Sequence, residues 1–184
     1  YKGQEQFELI SAKAEQIKKD LEAKGISVRY DDRDTHKPGW KFAEHELRGV
    51  PVRIAIGPRD LDNESVEVAR RDTKEKETYQ MADLSNKISH LLENIQENLY
   101  LRAETHRDNH TTAVNTWEEF KEVLANKGGF ILAHWDGTAE TEEKIKEETK
   151  ATIRCIPLDA KEEEGTCVYS GKPSNKRVLF AIAY

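Results

Sequence analysis

Only two cysteines occur in the 184 residues, Cys155 and Cys167. Two thiols make no disulfide framework and nothing signals secretion, so a reduced, cytoplasmic setting is expected. Long hydrophobic runs are missing as well. No stretch approaches the roughly 18 apolar residues that a membrane-spanning helix requires. The chain has no N-terminal methionine and no signal-like segment before its first helix, which suggests a piece excised from a longer protein. A basic excess is also lacking: the formal net charge is −6, which excludes a uniformly basic nucleic-acid binder. Any RNA-binding face must therefore be a local basic patch in an acidic frame. No Walker loop, GxGxxG fingerprint, nucleophile elbow or HExxH motif occurs. The six histidines are dispersed, and the i,i+4 spacing of His106 and His110 does not by itself make a metal site. The acidic runs at 142–143 and 162–164 read as solvated faces. No chemistry of its own is expected of this chain.

What is present is an alternation of helices and strands. Charged residues make up 35% and apolar residues 36%, polar for a globular protein but not poor enough in core formers for disorder. The length admits one large domain or two small ones. Phe7, Ile10, Ala14, Ile17 and Leu21 form one helical stripe that ends near Gly25, and residues 26–30 follow as a short strand. The densest stretch is 31–61. Pro38 and Gly39 open a helix there, Gly49 closes it, and VPVRIAI (residues 50–56) reads as a mostly buried strand bounded by Gly57-Pro58. The alternation predicts an α/β layer with some parallel pairing. Residues 65–70 and 77–80 flank a polar turn and read as a hairpin. A long helix starts near Met81, with Leu84, Ile88, Leu91, Ile95 and Leu99 on one face, and runs to about Arg107.

Residues 108–115 read as a polar connector. Thr116 with Glu119 forms a capping box, Phe120, Val123 and Leu124 supply that helix's buried face, and Gly128-Gly129 stops it. Strands are expected at 130–135, 153–158 and 177–183, with a charged helix at 138–150 between the first two. The simplest account is a second small domain from about 110 to 184. Trp40, at helical spacing with Ala43 and Leu47, reads as core rather than as a base-stacking side chain. On the residues alone, the charges around Glu46, Arg53 and Arg59 are ordinary rim charges and salt bridges. A non-catalytic α/β module for protein interaction or small-ligand binding remains open at this point.

The segment GWKFAEHELRGVPVRIAIGPRDL (39–61) carries a resemblance. With DDRD (31–34), ETH (104–106), ETKAT (148–152), RCIP (154–157) and the terminal Ala183-Tyr184, it resembles the C-terminal half of prolyl-tRNA synthetases of the archaeal and eukaryotic type, a form also found in some bacteria. The resemblance implies a class IIa anticodon-binding domain over 1–109, a mixed β-sheet flanked by helices with its first strand truncated before Tyr1. A small α+β C-terminal domain over 110–184 follows. It implies that Glu46, Arg53 and Arg59 read the two guanines of the proline anticodon, and the nearby Arg33, Lys41 and Arg48 are suited to phosphate contacts. It also implies a homodimeric, cytoplasmic enzyme that uses ATP and Mg²⁺ to join proline to tRNA(Pro), with its catalytic core upstream. The free carboxylate of the last tyrosine, Tyr184, would reach toward that core. Many relatives hold zinc through two cysteine pairs. Here the matching positions are Asp136, Thr141, Cys167 and Ser170, which leaves one sulfur, while Cys155 matches a cysteine that is not a ligand. Hydroxyls are poor zinc donors, so no zinc is expected.

Overall fold

A computed structural model of the chain describes residues 3–183. It divides into two compact units between Leu101 and Arg102, each with its own core.

The first unit opens with helix α1 (Gln4–Glu22), whose stripe buries Leu21 and half-buries Ile17. Helix α2 (Pro38–Leu47) then leads to strand β1 (Val52–Ala55), a short helix α3 (Pro58–Asp62) and the hairpin β2 (Ser65–Arg70) and β3 (Lys76–Gln80). The sheet order is β1-β2-β3 and both pairings are antiparallel, so the expected parallel pairing does not occur among the described residues of this unit. Val66 and Val68 project from β2 into a core with Leu21, Leu84 and Ile88, as strand alternation requires. Residues 26–30, expected as a strand, form none. Ile26 and Val28 do pack on this core, but no described strand pairs with the segment, and an extended segment becomes a strand only by making a ladder. The 26-residue helix α4 (Leu84–Asn109) buries Leu84, Ile88 and Ile95, whereas Leu99, expected on the same face, is 43% exposed because the first unit's core ends below it.

The second unit holds a four-stranded sheet of order β4-β5-β9-β6, formed by β4 (Thr111–Ala113), β5 (Phe130–His134), β6 (Ala151–Cys155) and β9 (Arg177–Ile182). A two-stranded ribbon of β7 (Gly165–Thr166) and β8 (Pro173–Ser174) lies in sequence between β6 and β9. Strand β4 falls inside the stretch read as a polar connector. It pairs parallel with β5, the parallel ladder that local composition hid. Helix α5 (Trp117–Asn126) starts at the expected capping box: Glu119 N donates to Thr116 Oγ1, and Glu119 Oε2 accepts from Thr116 N. Its Phe120 meets Phe180 of β9 edge-on in a core with Ile131, Val178 and Ile145 of helix α6 (Ala139–Thr149). Gly129 takes φ +81, and a Cβ there would collide with the His110 carbonyl, the same oxygen that accepts from Phe130 N at 2.7 Å. Among the described residues, no helix is long and apolar enough to cross a membrane.

Candidate nucleic-acid interface

Helix α2 is cut sharply at both ends. Pro38 needs no N–H partner in the first turn. At the other end Gly49, at φ +83, donates to the Glu46 carbonyl at 3.1 Å, and Val50 N donates to the His45 carbonyl at 3.1 Å. These two bonds form a Schellman motif, which only a left-handed residue at 49 allows. The chain therefore turns directly from Glu46 into β1, where Arg53 sits.

Phe42 and Glu46 are four residues apart on one face of α2. The Arg53 guanidinium lies 3.7 Å above the Phe42 ring and donates to Glu67 Oε1 at 3.1 Å. That pair of contacts fixes a long side chain that would otherwise sample many rotamers. The Glu46 side chain is 50% exposed, and its closest cation is Lys74 Nζ at 3.8 Å. Arg71 Nε donates to the Glu46 backbone oxygen at 2.9 Å. Arg59 lies on α3, exposed, its side chain without a hydrogen bond or ion pair among the described residues. Glu46 and Arg53 thus share the Phe42 side of the helix–strand junction, and Arg59 stands at the far end of β1.

The other flank of α2 is an ion-pair network. Arg33 donates Nε and Nη2 to Asp31 at 2.8 and 2.6 Å, and Nη2 also to Glu44 at 2.7 Å. His45 Nε2 is 2.9 Å from Asp31 Oδ2, Lys41 Nζ donates to the Asp31 carbonyl at 3.2 Å, and Arg48 donates to Glu44 at 2.6 Å. The Arg33 guanidinium holds the Asp31 carboxyl far below the usual carboxylate range and lowers Glu44 as well. Asp31, Glu44 and His45 bring three donor atoms within 4.8 Å, the spacing of a metal site, but Arg33 already bridges both carboxylates. A guanidinium stands where a cation would bind. Arg33, Lys41 and Arg48, the expected phosphate contacts, all belong to this network.

Trp40 departs from its reading as core. It is 48% exposed, Leu47 is 89% exposed, and α2 buries no residue at all. Helical spacing places these side chains on one face, but no described element covers that face. Trp40 stacks instead on His36, with ring centroids 3.9 Å apart, and Arg33 lies 5.4 Å from its ring.

Comparison with known proteins bears on both units. A family described as "Anticodon binding domain" matches residues 3–91, and one described as "Prolyl-tRNA synthetase, C-terminal" matches residues 117–184. A proline–tRNA ligase of Flavobacterium johnsoniae is 60% identical over all 184 residues, and one of Porphyromonas gingivalis 56%. The chain belongs to the C-terminal part of the prolyl-tRNA synthetase family. It covers 37% of the length of each of these two relatives.

Membership in this synthetase family raises the zinc question, which bears on the donor chemistry of four residues. The four matching residues do come together. Asp136 Oδ2 accepts from Thr141 Oγ1 at 2.8 Å and from Ser170 Oγ at 2.7 Å, and Ser170 N donates to Cys167 Sγ at 3.5 Å. Asp136 Oδ1 accepts from Thr138 Oγ1 at 2.8 Å and from Thr138 N at 3.1 Å. Burial pushes this carboxyl up, but the bonds from Ser170, Thr138 and Thr141 together outweigh it and hold the group at about 2. The hydroxyl protons point at the carboxylate, so the cluster satisfies itself. Two hydroxyls, one carboxylate and one thiol do not fit a closed tetrahedral zinc site. Tyr184, the expected terminal carboxylate, lies outside the described residues.

Phe42, Arg71 and Lys74 escaped the sequence reading. The i,i+4 relation of Phe42 to Glu46 could have drawn attention to the first. Nothing local links residues 71 and 74 to Glu46.

Proposed function

We propose that the first unit reads the anticodon of proline tRNA on behalf of a proline–tRNA ligase. The observation that carries this reading is the Arg53–Phe42 stack beside Glu46, at the turn from α2 into β1. The second and third letters of that anticodon are both guanine. A carboxylate is the natural acceptor for guanine N1–H and N2–H, and a guanidinium the natural donor to O6 and N7. Glu46 supplies the first group, and Arg53 and Arg59 supply the second. The Glu67 pair and the Phe42 ring hold Arg53 in place before RNA arrives, which reduces the ordering cost on binding. Arg33, Lys41 and Arg48 add positive charge along the other flank of α2, with Arg48 the most exposed of the three.

In such a ligase this region grips the anticodon and so orients the acceptor end of the tRNA toward a catalytic core in the part that this chain does not span. That core activates proline with ATP and Mg²⁺ and transfers it to the tRNA. A cytoplasmic homodimer is the setting we propose for it. The second unit needs no zinc in this scheme, because the Asp136 cluster ties its segments together by hydrogen bonds. The test is binding of an anticodon stem–loop RNA. Arg53→Ala should weaken binding by about 1–3 kcal/mol and relax the preference for guanine. Unchanged affinity and preference would remove Arg53 from the reading.

A further inference from the structure

The turn between β2 and β3 is built to hold cations against the C-terminal end of α2. Asp72 is its anchor. This carboxylate, 2% exposed, accepts from Arg70 Nε and Nη2 at 2.8 and 2.7 Å and from Asn98 Nδ2 of α4 at 2.7 Å. The Arg70 guanidinium keeps it well below the usual carboxylate range, so the anchor is charged at any physiological pH. Arg70 N donates to the Glu75 carbonyl at 3.0 Å and closes the turn. Lys74 takes φ 64, a left-handed backbone that a lysine adopts only when its surroundings impose it.

Arg71 pins this turn to the helix end with two bonds, N to the Pro51 carbonyl at 2.9 Å and Nε to the Glu46 carbonyl at 2.9 Å. Its two terminal nitrogens have no partner among the described residues. Lys74 reaches Glu46 only at 3.8 Å, with 76% of its side chain exposed. An ion pair this open is weak and easily exchanged for another partner. Arg33, Lys41 and Arg48, by contrast, are engaged by Asp31 and Glu44 on the opposite flank.

A nucleotide whose guanine meets Glu46 brings a phosphate into a field made unfavourable by the Glu46 carboxylate and by the carbonyls at the helix C-terminus. We propose that Arg71 and Lys74, presented by the β2–β3 turn, contact the phosphate backbone of the nucleotide whose base Glu46 takes. The proposal rests on the anticodon reading above and names its electrostatic counterpart. Lys74, exposed and only loosely paired with Glu46, turns to the phosphate whichever base lies there, and the free nitrogens of Arg71 join it while Nε holds the turn.

The test uses this chain with two anticodon stem–loop RNAs, one with the proline anticodon and one with both its guanines replaced by adenine. Affinity is measured across a salt series for wild type, Arg71→Gln and Lys74→Gln. Both side chains are exposed, and thermal melts check that folding is intact. A phosphate contact on single-stranded RNA contributes about 0.7 to the slope of log affinity against log salt. Each variant should lose about that slope, or about fivefold in affinity between 1 M and 0.1 M salt, equally for both RNAs and without change in guanine preference. An unchanged slope in both variants overturns the proposal, as does a loss of guanine preference in place of a slope change. Failure of the anticodon reading looks different. Wild type would then bind both RNAs alike, whereas reduced slopes in the variants would still support the backbone contact.

Discussion

Replacing Asp136 with asparagine removes the charge on which three side chains converge and leaves the shape almost unchanged. Its two oxygens accept four hydrogen bonds, from Thr138 N, Thr138 Oγ1, Thr141 Oγ1 and Ser170 Oγ. An amide presents N–H donors on one side, so at least one of these hydroxyls would face a donor. The fall of the carboxyl from its ordinary 3.8 to about 2 corresponds to about 2.5 kcal/mol at most. Solvent reaches part of the group, which reduces that to about 1–2 kcal/mol. Because the folded value is depressed, the contribution is fully present above about pH 4 and disappears as pH falls through about 2. Denaturant melts of wild type and Asp136→Asn should therefore differ by about 1–2 kcal/mol at pH 7 and converge toward pH 2. In thermal melts a loss of 1 kcal/mol lowers the midpoint by about 4–8 °C in a unit of this size. Equal stability at neutral pH, or a gap that stays constant down to pH 2, would refute the claim that the carboxylate organises this cluster.

Metal analysis should find no stoichiometric zinc in the purified chain, and a chelator should leave its melting temperature unchanged, if the Asp136 cluster holds this unit without metal-derived folding energy as proposed. About one zinc per chain would overturn that expectation. Gly165→Ala tests the ribbon: its Cβ would run into the His134 ring, which is buried on β5 and cannot swing away. Overpacking of this kind should cost about 1–3 kcal/mol in a denaturant melt, and a neutral substitution would mean that the ribbon is not held against His134.

Features set by near neighbours were legible in the chain. The Thr116–Glu119 capping box and the Gly49 stop depend on residues within a few positions of one another, the β2–β3 hairpin on a short turn between sequence-adjacent strands, and all form as read. Features set by distant partners were not. Thr111–Ala113 is polar and becomes a strand only because β5 offers it a parallel edge. Residues 26–30 have the alternation of a strand, yet pair with no described strand. Trp40 and Leu47 share a helical stripe, but periodicity says which residues lie together and not whether anything covers them. The same limit applies to the candidate interface. Glu46 and Arg53 were legible from a short stretch that matches a family pattern, whereas Arg71 and Lys74 reach Glu46 across some 25 residues of intervening chain.

The central claim is that Glu46, Arg53 and Arg59 read two guanines. Its most direct test is the affinity of the wild-type chain for an anticodon stem–loop with guanine at the second and third letters, against loops with either guanine replaced. A good bidentate contact discriminates by about 1–3 kcal/mol, so each replacement should weaken binding by roughly 5- to 150-fold. Equal affinity for all the loops at the same salt concentration would contradict the account.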